Sequence, residues 1–152
     1  MADTREEILA RLLEVVATIP GMVSVDRNNV DITEDQLPAA LVFDGDEETD
    51  DAGDTGMRPP NRPTIVRMTP EIVIAEASSG QVGSALAVLR GELIRRVLTD
   101  TALNETIVKT GRHGNGAIRY LGCQTDCGWM RSLHGALRAQ FMFKYALKPD
   151  DL

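Results

Sequence analysis

Residues 133–147 read LHGALRAQFMFKYAL, and apolar side chains recur in this stretch at every second position. One parity is apolar from Leu137 onward, whereas the other parity carries Arg138, Gln140 and Lys144. Since successive side chains of a strand point to opposite faces of a sheet, this alternation predicts a long strand with one buried face. Such a strand is typical of an antiparallel sheet that covers the core with one face only.

Two helical patterns lie upstream of this strand. The first begins with a capping-box sequence at Thr4, repeats apolar residues at spacings of three and four, and stops at Pro20-Gly21. The second covers roughly residues 82–98, and residues 101–108 are a candidate third helix. Further strands are predicted at four short runs, Met22–Arg27, Ala39–Asp44, Thr64–Ala77 and Ala117–Cys123.

These elements define a fold class. Their strands are grouped and do not alternate with helices, which favours an α+β fold. We expect a mostly antiparallel or mixed sheet of about four or five strands, with two main helices packed on one face. With 152 residues, the chain is expected to form one domain over residues 1–152.

The expected location follows from hydropathy. No apolar run approaches the roughly 18 residues that span a bilayer, so we expect no membrane partner. The charged N-terminus lacks the pattern of a secretory signal, which favours the cytosol of the cell that makes the chain.

Charge is distributed unequally along the chain. Residues 1–56 hold 15 acidic and 3 basic side chains, whereas residues 57–152 hold 8 acidic and 13 basic ones. The two parts therefore carry net charges of −12 and +5 within a total of −7. A molecule with two oppositely charged parts can attract copies of itself head to tail.

One segment, residues 45–63, is predicted to be a mobile acidic and proline-rich loop or a hairpin arm, because it has too few apolar side chains to offset its ordering entropy. Its acids and four bases elsewhere in the chain form the candidate assembly interface. The residues in this set are Asp46, Glu47, Glu48, Asp50, Asp51, Asp54, Arg112, Arg119, Arg138 and Lys144.

Residue types that carry chemistry are few. His113 and His134 are the two histidines of the chain, and neither belongs to a serine or cysteine nucleophile motif. Cys123 and Cys127 together with these histidines are a conceivable zinc set, but their spacing is not a standard zinc pattern. A pI near 4.8 disfavours nucleic-acid binding. We therefore predict no catalytic residue, no cofactor and no metal site.

Five phrases along the chain carry a resemblance. They are Pro20–Asn28 (PGMVSVDRN), Leu37–Glu48 (LPAALVFDGDEE), Arg67–Ile72 (RMTPEI), Ile118–Asp126 (IRYLGCQTD) and Phe141–Pro149 (FMFKYALKP). In this order the chain resembles the tail terminator proteins of long-tailed bacteriophages and prophages, of the minor tail protein U type. The resemblance covers nearly the whole chain.

The resemblance implies structural work in a virion. Tail terminators form a ring, commonly of six subunits, on the head-proximal end of the tail tube, where the ring stops tube polymerisation and offers the surface for head joining. The implied partners are other copies of the chain, the tail tube protein, the head-tail connector protein, and genomic DNA that passes through the lumen without specific binding. The implied location is the virion tail, assembled in the cytoplasm of a bacterial host, and no catalytic residue is implied.

Two other interpretations stay open at this point. A head-side connector or tail completion protein of the same virion has the same assembling character and differs in its partner. A small cytosolic enzyme or metal-binding protein requires the cysteines and histidines to be gathered at one site.

Overall fold

The computed structural model describes residues 3–49, 64–77, 79–110, 117–126 and 134–147. Within these ranges lie three helices and five strands. In chain order they are α1 (Thr4–Ala17), β1 (Ser24–Arg27), β2 (Ala39–Thr49), β3 (Thr64–Ala77), α2 (Val82–Thr99), α3 (Thr101–Thr110), β4 (Ala117–Asp126) and β5 (His134–Leu147), with a 3₁₀ turn at Glu34–Gln36.

The strands form one mixed sheet in the order β1-β2-β3-β5-β4. β1 runs parallel to β2, and every other neighbouring pair is antiparallel. Apolar side chains of all three helices join a single core cluster with one face of this sheet. The predicted α+β class and mixed sheet are therefore confirmed, and α3 adds a third packed helix to the two main ones.

The centre of the core is the apolar face of β5. Phe141, Phe143 and Tyr145 are fully buried there, whereas Arg138 and Gln140 of the opposite face are exposed. The period-two prediction for this strand is confirmed. Burying a large apolar side chain stabilises a fold by about 1.5–3 kcal/mol, so three adjacent aromatics strongly favour this one register.

The N-terminus of α1 differs from its prediction in one detail. Asp3, not Thr4, is the N-cap, and its carboxylate accepts a 3.1 Å hydrogen bond from the backbone N–H of Arg5. Thr4 is the first helical residue and is buried. Both side chains are suitable caps, and the structure selects the one that leaves Ile8 and Leu12 facing the sheet.

The junction of α2 and α3 is held by Asp100. Its carboxylate caps α3 by accepting a 2.9 Å hydrogen bond from the N–H of Leu103. The same carboxylate receives two hydrogen bonds from Arg11 of α1, at 2.9 and 2.7 Å. These bonds from Arg11, more than the backbone bond, lower the pKa of Asp100. One side chain thus joins all three helices.

The structure corrects the start of the predicted acidic loop. β2 does not end at Asp44 but continues through Gly45 to Thr49, paired with β3. The remainder of the predicted loop, residues 50–63, lies outside the described residues. The antiparallel pairing of residues 46–49 agrees with the hairpin-arm alternative, and the acidic side chains are accommodated because this part of the strand is exposed.

A β-bulge bends β2 where it leaves the core. The register with β3 shifts between Phe43 and Asp46, opposite Pro70. Proline has no N–H to donate, and the bulge accommodates that loss inside a central strand. Gly45 stands in the bulge with φ +68°, a left-handed conformation that favours glycine.

Gly45→Ala is expected to destabilise the fold. The left-handed backbone costs an alanine about 1–2 kcal/mol, and its Cβ would overlap the carbonyl of Thr69, lying 2.7 Å from the carbonyl carbon. Urea unfolding followed by circular dichroism measures the loss. Gly91→Ala is the control: Gly91 is an open position inside α2, where alanine gains up to about 1 kcal/mol. Equal stability of the two variants contradicts this account of the bulge.

Candidate functional site

The candidate site is the face of the sheet that points away from the helices, named here the outer face. Strand register assigns side chains to it, because directly paired residues point to the same side. Its charged and amide side chains are Asp26 of β1, Asp46 and Glu48 of β2, Arg67 and Glu71 of β3, Arg138, Gln140 and Lys144 of β5, and Arg119, Gln124 and Asp126 of β4.

One row of the outer face crosses four strands. Glu48 pairs with Arg67, Arg67 pairs with Lys144, and Lys144 pairs with Ala117. Directly opposed side chains have Cβ atoms about 4.5–5.5 Å apart, so acid and base in this row lie within reach of one another. The row therefore begins with an acid at β2 and continues with two bases.

The structure places three of the predicted interface bases on the outer face. Arg119 stands opposite Met142, Arg138 is flanked by Val73 and Gln124, and both arginines are exposed. Lys144 lies on the same face. The period-two pattern of β5 predicts this for Arg138 and Lys144, while the position of Arg119 depends on the pairing of β4 with β5.

The predicted acidic members are divided between the two faces. Asp46 and Glu48 are exposed on the outer face, whereas Glu47 points to the helix side. The remaining four members of the predicted interface lie outside the described residues; they are Asp50, Asp51, Asp54 and Arg112.

Charge is sorted across the sheet. β1 and β2, at one edge, hold five acids and one base, Arg27. β4 and β5, at the other edge, hold three bases and one acid, Asp126. The acidic and basic parts of the sequence therefore occupy opposite ends of the strand order.

A groove of about 360 Å³ lies on the outer face. It is apolar at the β2 end and carries one acid, Glu71, and one base, Arg138, toward β5. The other lining residues are Val30, Ile32, Leu41, Phe43, Val73, Ala75 and Ala136. Apolar area with a few charged groups suits contact with another macromolecule.

An ion-pair cluster centred on Arg27 connects β2, at Asp44, to β1 and α1. Arg27 donates hydrogen bonds of 2.7 and 2.9 Å to Asp44, and bonds of 2.7 and 3.0 Å to Glu6 of α1. These bonds lower the pKa of Asp44 and of Glu6, with the Arg27 hydrogen bond as the main cause in both. Arg5 adds a 3.2 Å bond to the carbonyl of Gly45.

A hydrogen bond also connects β2 to the core. Tyr145 is fully buried, and its hydroxyl donates a hydrogen bond to the carboxylate of Glu47. Burial, followed by this bond, raises the pKa of Tyr145. The sequence contains a hint of it, because a tyrosine on an apolar parity still needs a partner for its hydroxyl.

The cysteines and histidines of the conceivable zinc set lie mostly outside the described residues. No group of three or more His, Cys, Asp and Glu residues suited to a metal ion occurs in the described part of the chain. Cys123 is a free, half-buried thiol on β4. His113, Cys127 and the side chain of His134 are outside the described residues. Among the helices that the structure describes, none has the length and apolarity needed to cross a membrane.

Comparison with known protein families and with curated proteins finds no match to this chain. The site is therefore interpreted from its own geometry and from the sequence phrases quoted above.

Tyr145→Phe is expected to lower the free energy of unfolding by about 1 kcal/mol, because it removes one hydrogen bond to a partly exposed carboxylate and leaves the ring packing intact. Chemical denaturation measures the change. Glu47→Ala and the double variant complete a mutant cycle. A coupling energy near zero contradicts a tether between this strand and the core.

The Arg27 cluster is expected to make stability depend on pH. Asp44 and Glu6 have folded-state pKa values below their ordinary 3.8 and 4.5. Between the folded and unfolded values the unfolded chain binds more protons, so this stability is present above about pH 4.5 and is lost as pH falls.

Arg27→Gln tests this contribution. Denaturation between pH 2.5 and 6 is expected to give a flatter slope of unfolding free energy against pH for the variant than for the wild type. Lys109→Gln is the control, because it removes one positive charge from an exposed position near the end of α3. Parallel curves for Arg27→Gln and the wild type contradict the linkage.

Proposed function

We propose that this chain is the subunit of a homo-oligomeric ring that caps the head-proximal end of a bacteriophage tail tube. The resemblance to tail terminators implies a ring of six subunits. In this role it stops tube polymerisation and provides the surface to which the head is joined. The proposal rests on the resemblance of five sequence phrases to tail terminators. The observation that carries it is the sorting of charge between the two edges of the sheet.

A closed ring of identical subunits needs two unlike, complementary patches on each subunit. The acidic strands β1 and β2 and the basic strands β4 and β5 supply two such patches. Four strand spacings place the outermost strands about 19 Å apart. This distance exceeds the Debye length of about 8 Å at physiological salt, so the patches act separately and attract the opposite patch of a neighbour.

The overall charge fits a protein that surrounds DNA without gripping it. Each subunit carries a net charge of −7, and a ring multiplies this value. A strongly negative assembly repels phosphate at long range, which favours passage of DNA through the lumen. The proposed work consists of binding and release, and no step in it requires a catalytic group.

Sedimentation and electron microscopy test the proposal. The purified chain, alone and mixed with polymerising tail tube protein, is expected to form annular particles, to cap tubes at one end and to shorten them. Sedimentation as a monomer in both settings, with tubes of unchanged length, overturns the proposal.

A sodium chloride series tests whether charge holds the ring, and a second binding partner distinguishes the tail terminator from a head-side connector. Because opposite charges hold the ring, raising sodium chloride from 50 to 500 mM is expected to shift the chain toward smaller species. The isolated head portal is the comparison partner. Binding to the portal in the absence of tubes, with no effect on tube growth, supports a head-side connector and contradicts the tail terminator role.

A further inference from the structure

The two edge strands of the sheet, β1 and β4, each pair with a single strand within the described residues. β4 is the last strand of the order and pairs with β5 alone. At the opposite side, β1 pairs only with residues 39–42 of β2. Asn28 occupies further backbone groups of β2: its N–H donates to the carbonyl of Val42, and its side chain accepts from the N–H of Asp44. Arg5 then donates to the carbonyl of Gly45.

Beyond Gly45, the other edge of β2 has no strand partner among the described residues. This part of β2 is paired to β3 on one side as far as Thr49. Edges of this kind carry rows of backbone donors and acceptors that template the addition of another strand.

The directions of the two edges match. β2 is antiparallel to β3, β3 to β5, and β5 to β4, so β2 and β4 run in opposite directions. A second copy that continues the sheet with the same face outward sets its β2 antiparallel to β4 of the first copy. This is the pairing that β2 already makes with β3 inside the chain.

The side chains of the two edges are complementary. Arg119 of β4 is exposed on the outer face, and Asp46 and Glu48 of β2 are exposed on the same face. In a continuous sheet, a register that sets Arg119 opposite one of these acids places their Cβ atoms about 5 Å apart, and the other acid is a diagonal neighbour at about 7–8 Å. Two copies of β2 would set acid against acid, which disfavours the like-edge pairing.

β4 also has features that oppose indiscriminate pairing. Its register with β5 shifts between Tyr120 and Gly122, where Gly122 has φ +139°. A bulge and an exposed arginine protect an edge against unrelated strands. They restrict the pairing to a short segment with acidic side chains.

We propose that the edge of β4 that has no partner among the described residues binds the edge of residues 46–49 of β2 in a second copy of this chain, antiparallel, with Arg119 facing Asp46 and Glu48. The proposal rests on the proposed ring and names the contact that joins its subunits. β1 occupies the edge of β2 before Asp44, so the contact is short and repeats once at each subunit boundary.

A charge swap tests the contact. Arg119→Glu and Asp46→Lys are each expected to weaken self-association about tenfold or more, because each places like charges at the boundary. The double variant restores an opposite pair at every boundary and is expected to recover the ring. Asp46 is chosen because it pairs with Thr69 within the chain, whereas Glu48 pairs with Arg67.

Lys109→Glu on α3 is the matched control, since it reverses an exposed charge in the helix layer and is expected to leave the ring intact. Thermal unfolding checks that all variants fold. Amide hydrogen exchange supplies a second readout: residues of β4 are expected to be more protected in wild-type rings than in the Arg119→Glu monomer.

The outcomes separate the two proposals. Rings of the wild type and of both single variants overturn the β4–β2 contact and leave the ring function standing. Loss of the ring in both single variants without recovery in the double variant also overturns the contact. A wild type that forms no ring, alone or on tubes, overturns both.

Discussion

The burial of one face of β5 is the constraint on which the rest of the structure depends. Phe141, Phe143 and Tyr145 together contribute roughly 5–9 kcal/mol of apolar burial, which is comparable to the whole stability of a typical domain. A slip of one residue would turn these side chains to the outer face and bring Arg138 and Lys144 inside. Because β3 and β4 both pair with β5, this choice of register also determines which of their side chains meet the helices.

The same constraint distributes the charges. Helices cover one face, so the bases of β4 and β5 are assigned to the outer face, and the acids of β2 reach solvent where that strand extends beyond the bulge. The chain order places acids early and bases late, and the sheet order then separates them in space. The uneven distribution of charge along the sequence therefore corresponds to an uneven distribution of charge across the sheet.

Periodic patterns were sufficient to predict the α+β class, the long final strand and the positions of α1 and α2, because burial on one side imposes a spacing on the sequence. The extension of β2 was predictable only as one of two alternatives, a mobile loop or a hairpin arm. Asp46, Glu47 and Glu48 are typical of a loop, and only their pairing with β3 makes them a strand. Arg27 and Asp44 are 17 residues apart, and Tyr145 and Glu47 are 98 apart, so no local pattern indicates these contacts.

The contacts that hold β2 at Asp44 and Glu47 also influence how its exposed edge can bind a partner. Ordering the backbone costs about 1–2 kcal/mol per residue, and a flexible segment pays this cost when it binds. Pairing with β3 and the contacts of Arg27 and Tyr145 order the strand before any partner arrives. A preordered strand retains more of its binding free energy for the contact itself. In the proposed ring, the ion pairs beneath the bulge would therefore contribute to assembly without touching the neighbouring subunit.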